Sequence, residues 1–213
     1  MKRSKLYIFV VSILLLLVLV VLWFFGINED VSEDSLMFKR DYEAYNIQST
    51  YEKVAIEKSN KAKYSSLSEI NDTIKNGTGL IFIGMPNNHE SRLLAEILVN
   101  LTTKSEIEEF LYLDLTNLRS EFKFQDEELV KTNETSDDYN KLLSLLDSYL
   151  DYYSVTINEK RYIYREKYIE VPILIGVNDG KIVGVIEETF EESAIEELID
   201  SVLKNNAVCD EAC

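Results

Sequence analysis

The stretch VPILIGVNDGKIVGVIEE, residues 171–188, decides the fold of this chain. Two apolar runs flank the turn Asn178-Asp179-Gly180, and Asp-Gly supplies the positive φ angles that a tight hairpin turn requires. The pattern therefore predicts a β-hairpin. Pro172 fits the beginning of its first strand, because a proline has no backbone N–H to contribute to a ladder.

Two continuous apolar runs upstream, GLIFIG (79–84) and FLYLDL (110–115), have the pattern of strands that are covered on both faces. Apolar side chains at helical spacing predict helices over residues 88–103 and 137–152, and a last helix follows the hairpin. This order of elements predicts an α/β fold in which helices cover both faces of a central sheet.

Shorter patterns predict further local structure. Ser66 with Glu69, and Ser193 with Glu196, have the spacing of capping boxes at helix starts. The segment TYEKVAI (50–56) alternates enough to be a strand.

Residues 6–27, LYIFVVSILLLLVLVVLWFFGI, form an uncharged run that is long enough to cross a bilayer as a helix. Lys2, Arg3 and Lys5 precede it and acidic residues follow it. The positive-inside rule then places residues 1–5 in the cytoplasm and the rest of the chain outside the cell. A cleaved signal peptide is the alternative, but such apolar regions are shorter and end at a small-x-small site, which is missing after the run. We therefore predict a single-pass membrane anchor.

Charge and composition exclude several classes of protein. The chain has 22 Lys and Arg against 38 Asp and Glu, a net charge of −16, so a nucleic-acid binder that relies on general phosphate attraction is excluded. Two cysteines exclude a disulfide-dense scaffold and a four-cysteine zinc site. A single histidine, His89, leaves little for another metal centre, and no cofactor is indicated.

Over about residues 50–204, the order of these segments resembles the thioredoxin-like family. The most specific part is Val171-Pro172, a strand, a tight turn and a second strand. The only two prolines, Pro86 and Pro172, both fall at landmarks of that family. The resemblance implies that the Val171–Pro172 peptide bond is cis and faces the active-site loop. It also implies that the backbone of Val171 pairs with an extended peptide.

A narrower resemblance concerns the rest of the chain. FKRDYEAYN (38–46), the insertion of residues 116–170 and the terminal cysteine pair resemble small membrane-anchored thioredoxin-like proteins of Gram-positive bacteria. We therefore divide the chain into a linker or juxtamembrane segment (28–49), a thioredoxin-like domain (50–204) and a tail (205–213).

The active-site loop of that family carries a C-x-x-C motif at the start of a helix, and this chain lacks it. Alignment on Pro86 puts Asn88 and Ser91 at the two cysteine positions, so disulfide exchange at this loop is excluded. A triad of Ser91, His89 and Glu90 fails, because such close neighbours on a helix do not face one another. Asn87 or Asn88 instead fits a helix N-cap. The expected binding groove consists of Met85, Pro86, Asn87, Asn88, Ser91, Val171 and Pro172.

Cys209 and Cys213 are the only thiols in the chain. At this spacing they fit a disulfide within the tail, a reactive redox pair or, with further ligands, a metal site. Asp210 and Glu211 lie between them and raise rather than lower a thiol pKa, which disfavours a fast nucleophile.

Three functions are consistent with these patterns. The first is a non-catalytic module that binds an extended peptide or a protein partner outside the cell. The second is a thiol-disulfide oxidoreductase that uses Cys209 and Cys213. The third is a scaffold that contacts a membrane complex through the Tyr-rich 139–153 helix.

Overall fold

The computed structural model describes residues 31–187 and 190–204. The predicted anchor (6–27) and the cysteines Cys209 and Cys213 lie outside these residues. None of the helices within the described part of the chain is both long enough and apolar enough to cross a membrane.

The helices are α1 (Glu33–Glu43), α2 (Leu67–Asn76), α3 (His89–Lys104), α4 (Asp137–Leu145) and α5 (Glu192–Leu203), with a 3-10 turn at Ala44–Ile47. The strands are β1 (Ala62–Tyr64), β2 (Gly79–Gly84), β3 (Phe110–Asp114), β4 (Phe122–Gln125), β5 (Glu128–Lys131), β6 (Tyr152–Ile157), β7 (Lys160–Lys167), β8 (Ile173–Asn178) and β9 (Lys181–Ile186).

A five-stranded mixed sheet lies at the centre, in the order β1-β3-β2-β8-β9. Strands β1 and β2 run parallel to β3, whereas β8 runs antiparallel to both β2 and β9. The predicted α/β architecture with a central mixed sheet is confirmed. The hairpin β8–β9 turns at Asp179 and Gly180, whose φ angles of 48° and 69° match the positive φ that the sequence predicts.

The sheet is covered on both faces, as its continuous apolar strands predict. Alternate residues of β2 point to opposite sides, so that Leu80 and Phe82 join one core and Ile81 and Ile83 join the other. Helices α1, α3 and α5 cover the first face, and helices α2 and α4 cover the second. These two cores fix the positions at which β2 ends and β8 begins, which is where the candidate site lies.

The folded body begins earlier than the sequence suggests. Residues 28–49 are predicted to be a linker or juxtamembrane segment; in the structure Phe38 and Tyr42 on α1 are completely buried in the first core. Ser32 caps this helix by accepting a hydrogen bond from the N–H of Ser35. Because Phe38 and Tyr42 fill space beneath β2 and β3, α1 belongs to the domain.

The segment of residues 48–60, which we name the strap, is not a strand, although its alternation predicts one. Val54 and Ile56 are buried, yet side chains rather than a neighbouring strand satisfy the backbone. The N–H of Val54 donates to Asn46, that of Ile56 to Glu43 and that of Ala55 to Glu96. The alternation of buried and exposed residues in the strap therefore does not come from pairing with a neighbouring strand.

The insertion between β3 and β8 contains more structure than its polar sequence indicates. Two hairpins, β4–β5 and β6–β7, stand apart from the central sheet and flank α4. The predicted helix over 137–152 is too long, because α4 ends at Leu145 and the chain then turns. Leu146 and Leu150 are still buried in the second core, so a turn rather than a helix completes the apolar stripe.

The two predicted capping boxes have different outcomes. Ser66 caps α2 by accepting a hydrogen bond from the N–H of Glu69 at 3.2 Å, so the N-cap half of that prediction is confirmed, while the Glu69 carboxylate pairs with Lys63. The Ser193 prediction is wrong, because α5 begins at Glu192 and the N-cap position is Glu191, whose side chain makes no capping bond.

Candidate functional site

The strand register brings the loop at residues 85–91 next to the bend at Val171-Pro172. Strands β2 and β8 are antiparallel, and their last paired residues are Ile83 and Ile173. The chain therefore leaves β2 towards Met85 at the edge where Val171 enters β8, and both side chains pack against the second core. The Val171–Pro172 peptide bond is cis, as expected.

The loop side of this site is closed by its own hydrogen bonds. Asn88 is the N-cap of α3, and its Oδ1 accepts from the N–H of Ser91 at 2.8 Å, which confirms one of the two predicted caps. The N–H of Asn88 donates to the carbonyl of Met85 at 2.9 Å. The N–H of Met85 in turn donates to Ser91 Oγ at 3.2 Å. The loop thus forms a rigid turn.

The two positions aligned with the family's cysteines are close together but have structural roles. Ser91 is completely buried, and Asn88 is half-buried with its amide oxygen used by the cap. Neither side chain combines exposure with a nucleophilic group. His89 and Glu90 are exposed on the other side of the helix start, so no hydrolytic arrangement forms with Ser91.

The strap contacts the same loop from the outside. The hydroxyl of Tyr51 donates to the carbonyl of Asn87 at 2.8 Å. Glu52 Oε2 lies 3.9 Å from His89 Nε2, and both side chains are exposed. The strap therefore contacts one side of the loop, and the bend at Val171 lies on its other side.

Arg92, one residue after Ser91, joins the strap to α3. Its side chain is completely buried, and its guanidinium donates to the carbonyls of Tyr42 and Glu52 and to the side chain of Asn46. The ring centroid of Tyr51 lies 5.5 Å from the guanidinium carbon. Desolvation by burial lowers the pKa of Arg92 from its ordinary value. The residue has a structural role rather than one in the groove.

A pair of tyrosines lies beneath the point where β2 enters the loop. A Cβ added to Gly84 would approach the hydroxyl of Tyr42 to 2.8 Å, so only glycine fits here. Tyr42 donates to the hydroxyl of Tyr112 at 3.2 Å. Burial raises the pKa of both phenols well above their usual range, so neither is a base near neutral pH.

The bend side is open by comparison. Pro172 is buried and Val171 is half-buried. Within the described residues, no backbone or side-chain hydrogen bond uses the N–H or the C=O of Val171, because pairing with β2 ends at Ile173. The site therefore presents one residue with an unused donor and an unused acceptor opposite a closed loop.

Within residues 31–187 and 190–204, no three His, Cys, Asp or Glu side chains lie close enough to hold a metal ion. Of the predicted site residues, Met85, Asn88 and Ser91 are joined by hydrogen bonds within the loop, and the register places Val171 and Pro172 at the same edge of the sheet as Met85. Cys209 and Cys213 lie outside the described residues.

Comparison with known proteins adds no relative. No protein-family model matches the sequence, and no curated protein matches it closely enough to count as a relative.

Sequence reasoning missed the residues that brace the loop from the strap. Arg92 falls on the same helical face as Ala95 and Val99, both completely buried, and a cation on such a stripe was the available signal. Tyr51 and Glu52 carry no comparable signal, because their contacts depend on the path of an irregular segment.

Proposed function

We propose that this protein is a membrane-anchored, extracytoplasmic module of thioredoxin-like architecture that binds an extended peptide segment and lacks the catalytic dithiol. The bound segment lies between the loop at residues 85–91 and the bend at Val171-Pro172. It belongs either to a free peptide or to an exposed strand of a protein partner. The uncharged run at residues 6–27, with basic residues before it, supports the anchor and its orientation.

Three observations support the thioredoxin-like architecture. The sheet order, with two parallel pairs followed by two antiparallel pairs, is consistent with the resemblance described above. The cis bond precedes the strand that lies beside β2. A long helix begins directly after the loop that follows β2. The 116–170 insertion lies between β3 and the cis bond.

The observation that carries the binding proposal is the unused backbone of Val171. A peptide in extended conformation that passes this residue gains one acceptor and one donor, as in strand addition. The side chains of Met85 and Val171 supply an apolar floor. The closed hydrogen bonding of the loop favours binding without chemistry, because the polar groups of Met85, Asn88 and Ser91 are already used within the loop.

The test is a backbone scan of a bound peptide. The full chain, held in detergent micelles, is titrated with blocked extended peptides carrying a fluorophore, and binding is followed by anisotropy. Each backbone amide of the best peptide is then N-methylated in turn, which removes a donor and leaves every side chain unchanged.

We expect methylation at one position to weaken binding by about tenfold, the effect of losing one well-placed hydrogen bond. The matched control is the same peptide methylated at a residue outside the segment that passes Val171, where the affinity should not change. Failure of the full chain to bind any peptide of the set, or equal binding of every methylated peptide, would overturn the proposal.

A further inference from the structure

The loop and the bend of the candidate groove lie at one end of the central sheet, which we name the top. Strand β2 ends at Gly84 and continues into the loop, and β8 begins at Ile173 directly after the bend. The opposite end, which we name the base, contains the first residues of the parallel strands β1, β2 and β3 and the tight turn at Asp179 and Gly180. The groove therefore opens at the top.

Helix α1 runs from the base to the top. Near its start, Ser35 Oγ donates to the carbonyl of Asn60, just before β1, and Asn60 Nδ2 donates to the carbonyl of Ser35 at 2.9 Å. Near its end, the hydroxyl of Tyr42 lies next to Gly84, where β2 leaves the sheet. The 11 residues of α1 therefore carry the chain about 16 Å from the base towards the groove.

The first residue that the structure describes, Val31, lies at the base. It lines a surface cavity together with the turn before β1 and with Glu108, in the loop before β3. Lys61 joins that turn and that loop, since its Nζ donates to the carbonyls of Ser105 at 3.0 Å and Ile107 at 2.6 Å. The end of the domain to which the predicted anchor connects is therefore the end opposite the groove.

The connection to the predicted anchor is short. The uncharged run ends at Ile27, and the four Cα steps from there to Val31 span at most about 14 Å. Strand β2, with six residues, extends about 20 Å from the base to the loop. An anchored chain therefore keeps its base close to the bilayer, while the groove stands about 16 to 20 Å beyond the base.

The charge of the domain opposes an orientation in which it lies on its side. Without Lys2, Arg3 and Lys5, 19 of the 22 basic residues remain against 38 Asp and Glu. An anionic lipid surface repels such a body, and the repulsion acts within a Debye length of about 8–10 Å. A domain that stands on its base brings the least of this charge into that range. The upright orientation is therefore favoured over one in which the groove reaches the lipid.

We propose that the groove faces away from the membrane and binds an extended segment of a soluble extracytoplasmic peptide or protein. This inference rests on the proposed function and gives the class of its partner. A segment that is tied closely to the bilayer, such as a short loop of a membrane protein, does not reach a groove at this height. A segment that is free of the membrane reaches it without restriction.

The first experiment measures the orientation and needs no peptide. The full chain with Cys209→Ser and Cys213→Ser is placed in phospholipid vesicles and carries one new cysteine, Glu108→Cys at the base or His89→Cys at the top, both exposed positions. A fluorophore on that cysteine is quenched by nitroxides on the lipid headgroups, which act only at short range. We expect quenching at residue 108 and its loss at residue 89. Vesicles without nitroxide are the control.

The second experiment measures the reach of the groove. The shortest peptide that binds is attached to a lipid headgroup by a flexible Gly-Ser linker of two residues, with a root-mean-square length of about 8 Å, or of forty residues, about 35 Å. Each lipid-linked peptide competes with the soluble fluorescent peptide, and anisotropy measures the displacement. We expect the short linker to weaken competition about tenfold relative to the long one.

A variant of the connection locates the effect. An insertion of about twenty Gly-Ser residues between Asp30 and Val31 releases the base from the bilayer, so the peptide on the short linker should then compete as well as the one on the long linker. The same insertion between Asp126 and Glu127, in the exposed β4–β5 turn, is the matched control and should leave the difference between the linkers unchanged. Both insertions should leave the affinity for the soluble peptide unchanged.

The outcomes separate the orientation from the groove. Equal quenching at residues 89 and 108, or equal competition by the two lipid-linked peptides, overturns this inference and leaves the proposed groove. If no soluble peptide binds, the proposed function is overturned together with the partner class, while the quenching still measures the orientation. A chain that does not associate with vesicles overturns the anchor and with it this inference.

Discussion

The two sides of the candidate groove use their polar groups in opposite ways. On the loop side, the N–H groups of Met85, Asn88 and Ser91 all donate to atoms within the loop itself. On the bend side, Val171 donates and accepts nothing within the described residues. The difference indicates that the loop is a structural turn, and that the bend is the side on which the proposed peptide would find free backbone groups.

The largest expected effect comes from placing two cysteines in the loop. Asn88→Cys with Ser91→Cys, in a Cys209→Ser and Cys213→Ser background, places two thiols in the first turn of α3. The helix start lowers the pKa of the first thiol, so we expect disulfide reduction to change from undetectable to measurable. An assay of insulin-disulfide reduction with an external reductant measures it.

The same assay measures whether Cys209 and Cys213 of the unmodified chain reduce disulfides. We expect the unmodified chain to be as inactive as the background without cysteines. Activity that disappears with Cys209→Ser would instead favour an oxidoreductase that uses the tail. A double-cysteine loop without activity would contradict the idea that the loop keeps the geometry of a redox site.

The next effect concerns the brace behind the loop. Arg92→Met leaves the carbonyls of Tyr42 and Glu52 and the amide oxygen of Asn46 without a donor, so we expect a loss of about 3 kcal/mol in the free energy of unfolding. Urea unfolding, followed by near-ultraviolet circular dichroism, measures it. Arg40→Met is the control, because that side chain is 70% exposed. If Arg92→Met abolished peptide binding and left the free energy of unfolding unchanged, Arg92 would have a role in binding rather than in stabilising the loop.

A smaller effect is expected at the helix cap. Asn88→Ala removes the acceptor for the N–H of Ser91 and should lower the free energy of unfolding by about 1 kcal/mol. Asn88→Asp keeps the acceptor and adds a charge that suits a helix start, so it should retain the stability. Peptide affinity should stay within about twofold in both variants. A large change in affinity without a change in stability would show that Asn88 binds the peptide.

A further effect is expected at high pH, where the buried phenol of Tyr139 titrates. Burial raises the pKa of Tyr139, on α4, to about 12. Because its unfolded value is near 10, the folded state holds more protons above pH 10, and stability falls as the pH rises through 12. Unfolding by urea between pH 9 and 11 measures this slope. Tyr139→Phe should make the decline shallower, and an unchanged slope would contradict a buried phenol.

The sheet and the adjacency of loop and bend could be predicted from the sequence, because they depend on long apolar runs and on turn residues. GLIFIG and VPILIGV are buried on both sides, and such runs leave few alternatives. The prediction of the 88–103 helix was correct to within one residue at each end, since Asn88 caps it.

The strap and the insertion could not be predicted in the same way. The strap is held by side chains of Asn46, Glu43, Glu96 and Arg92, and such contacts have no periodicity. A tyrosine-lined cavity is assembled from the end of α4 and the β6–β7 hairpin, which are separate in sequence and meet only after folding. Local pattern therefore predicted that the loop and the bend are adjacent, while the assembly of the cavity could be seen only in the three-dimensional structure.

The most direct test of the account is amide hydrogen exchange at Val171. The full chain is measured with and without a bound peptide, at single-residue resolution. We predict that exchange at Val171 slows by about tenfold when the peptide binds, while Met85 and Asn88 change little because their N–H groups already donate within the loop. Unchanged exchange at Val171, with protection instead along the outer edge of β9, would contradict the account.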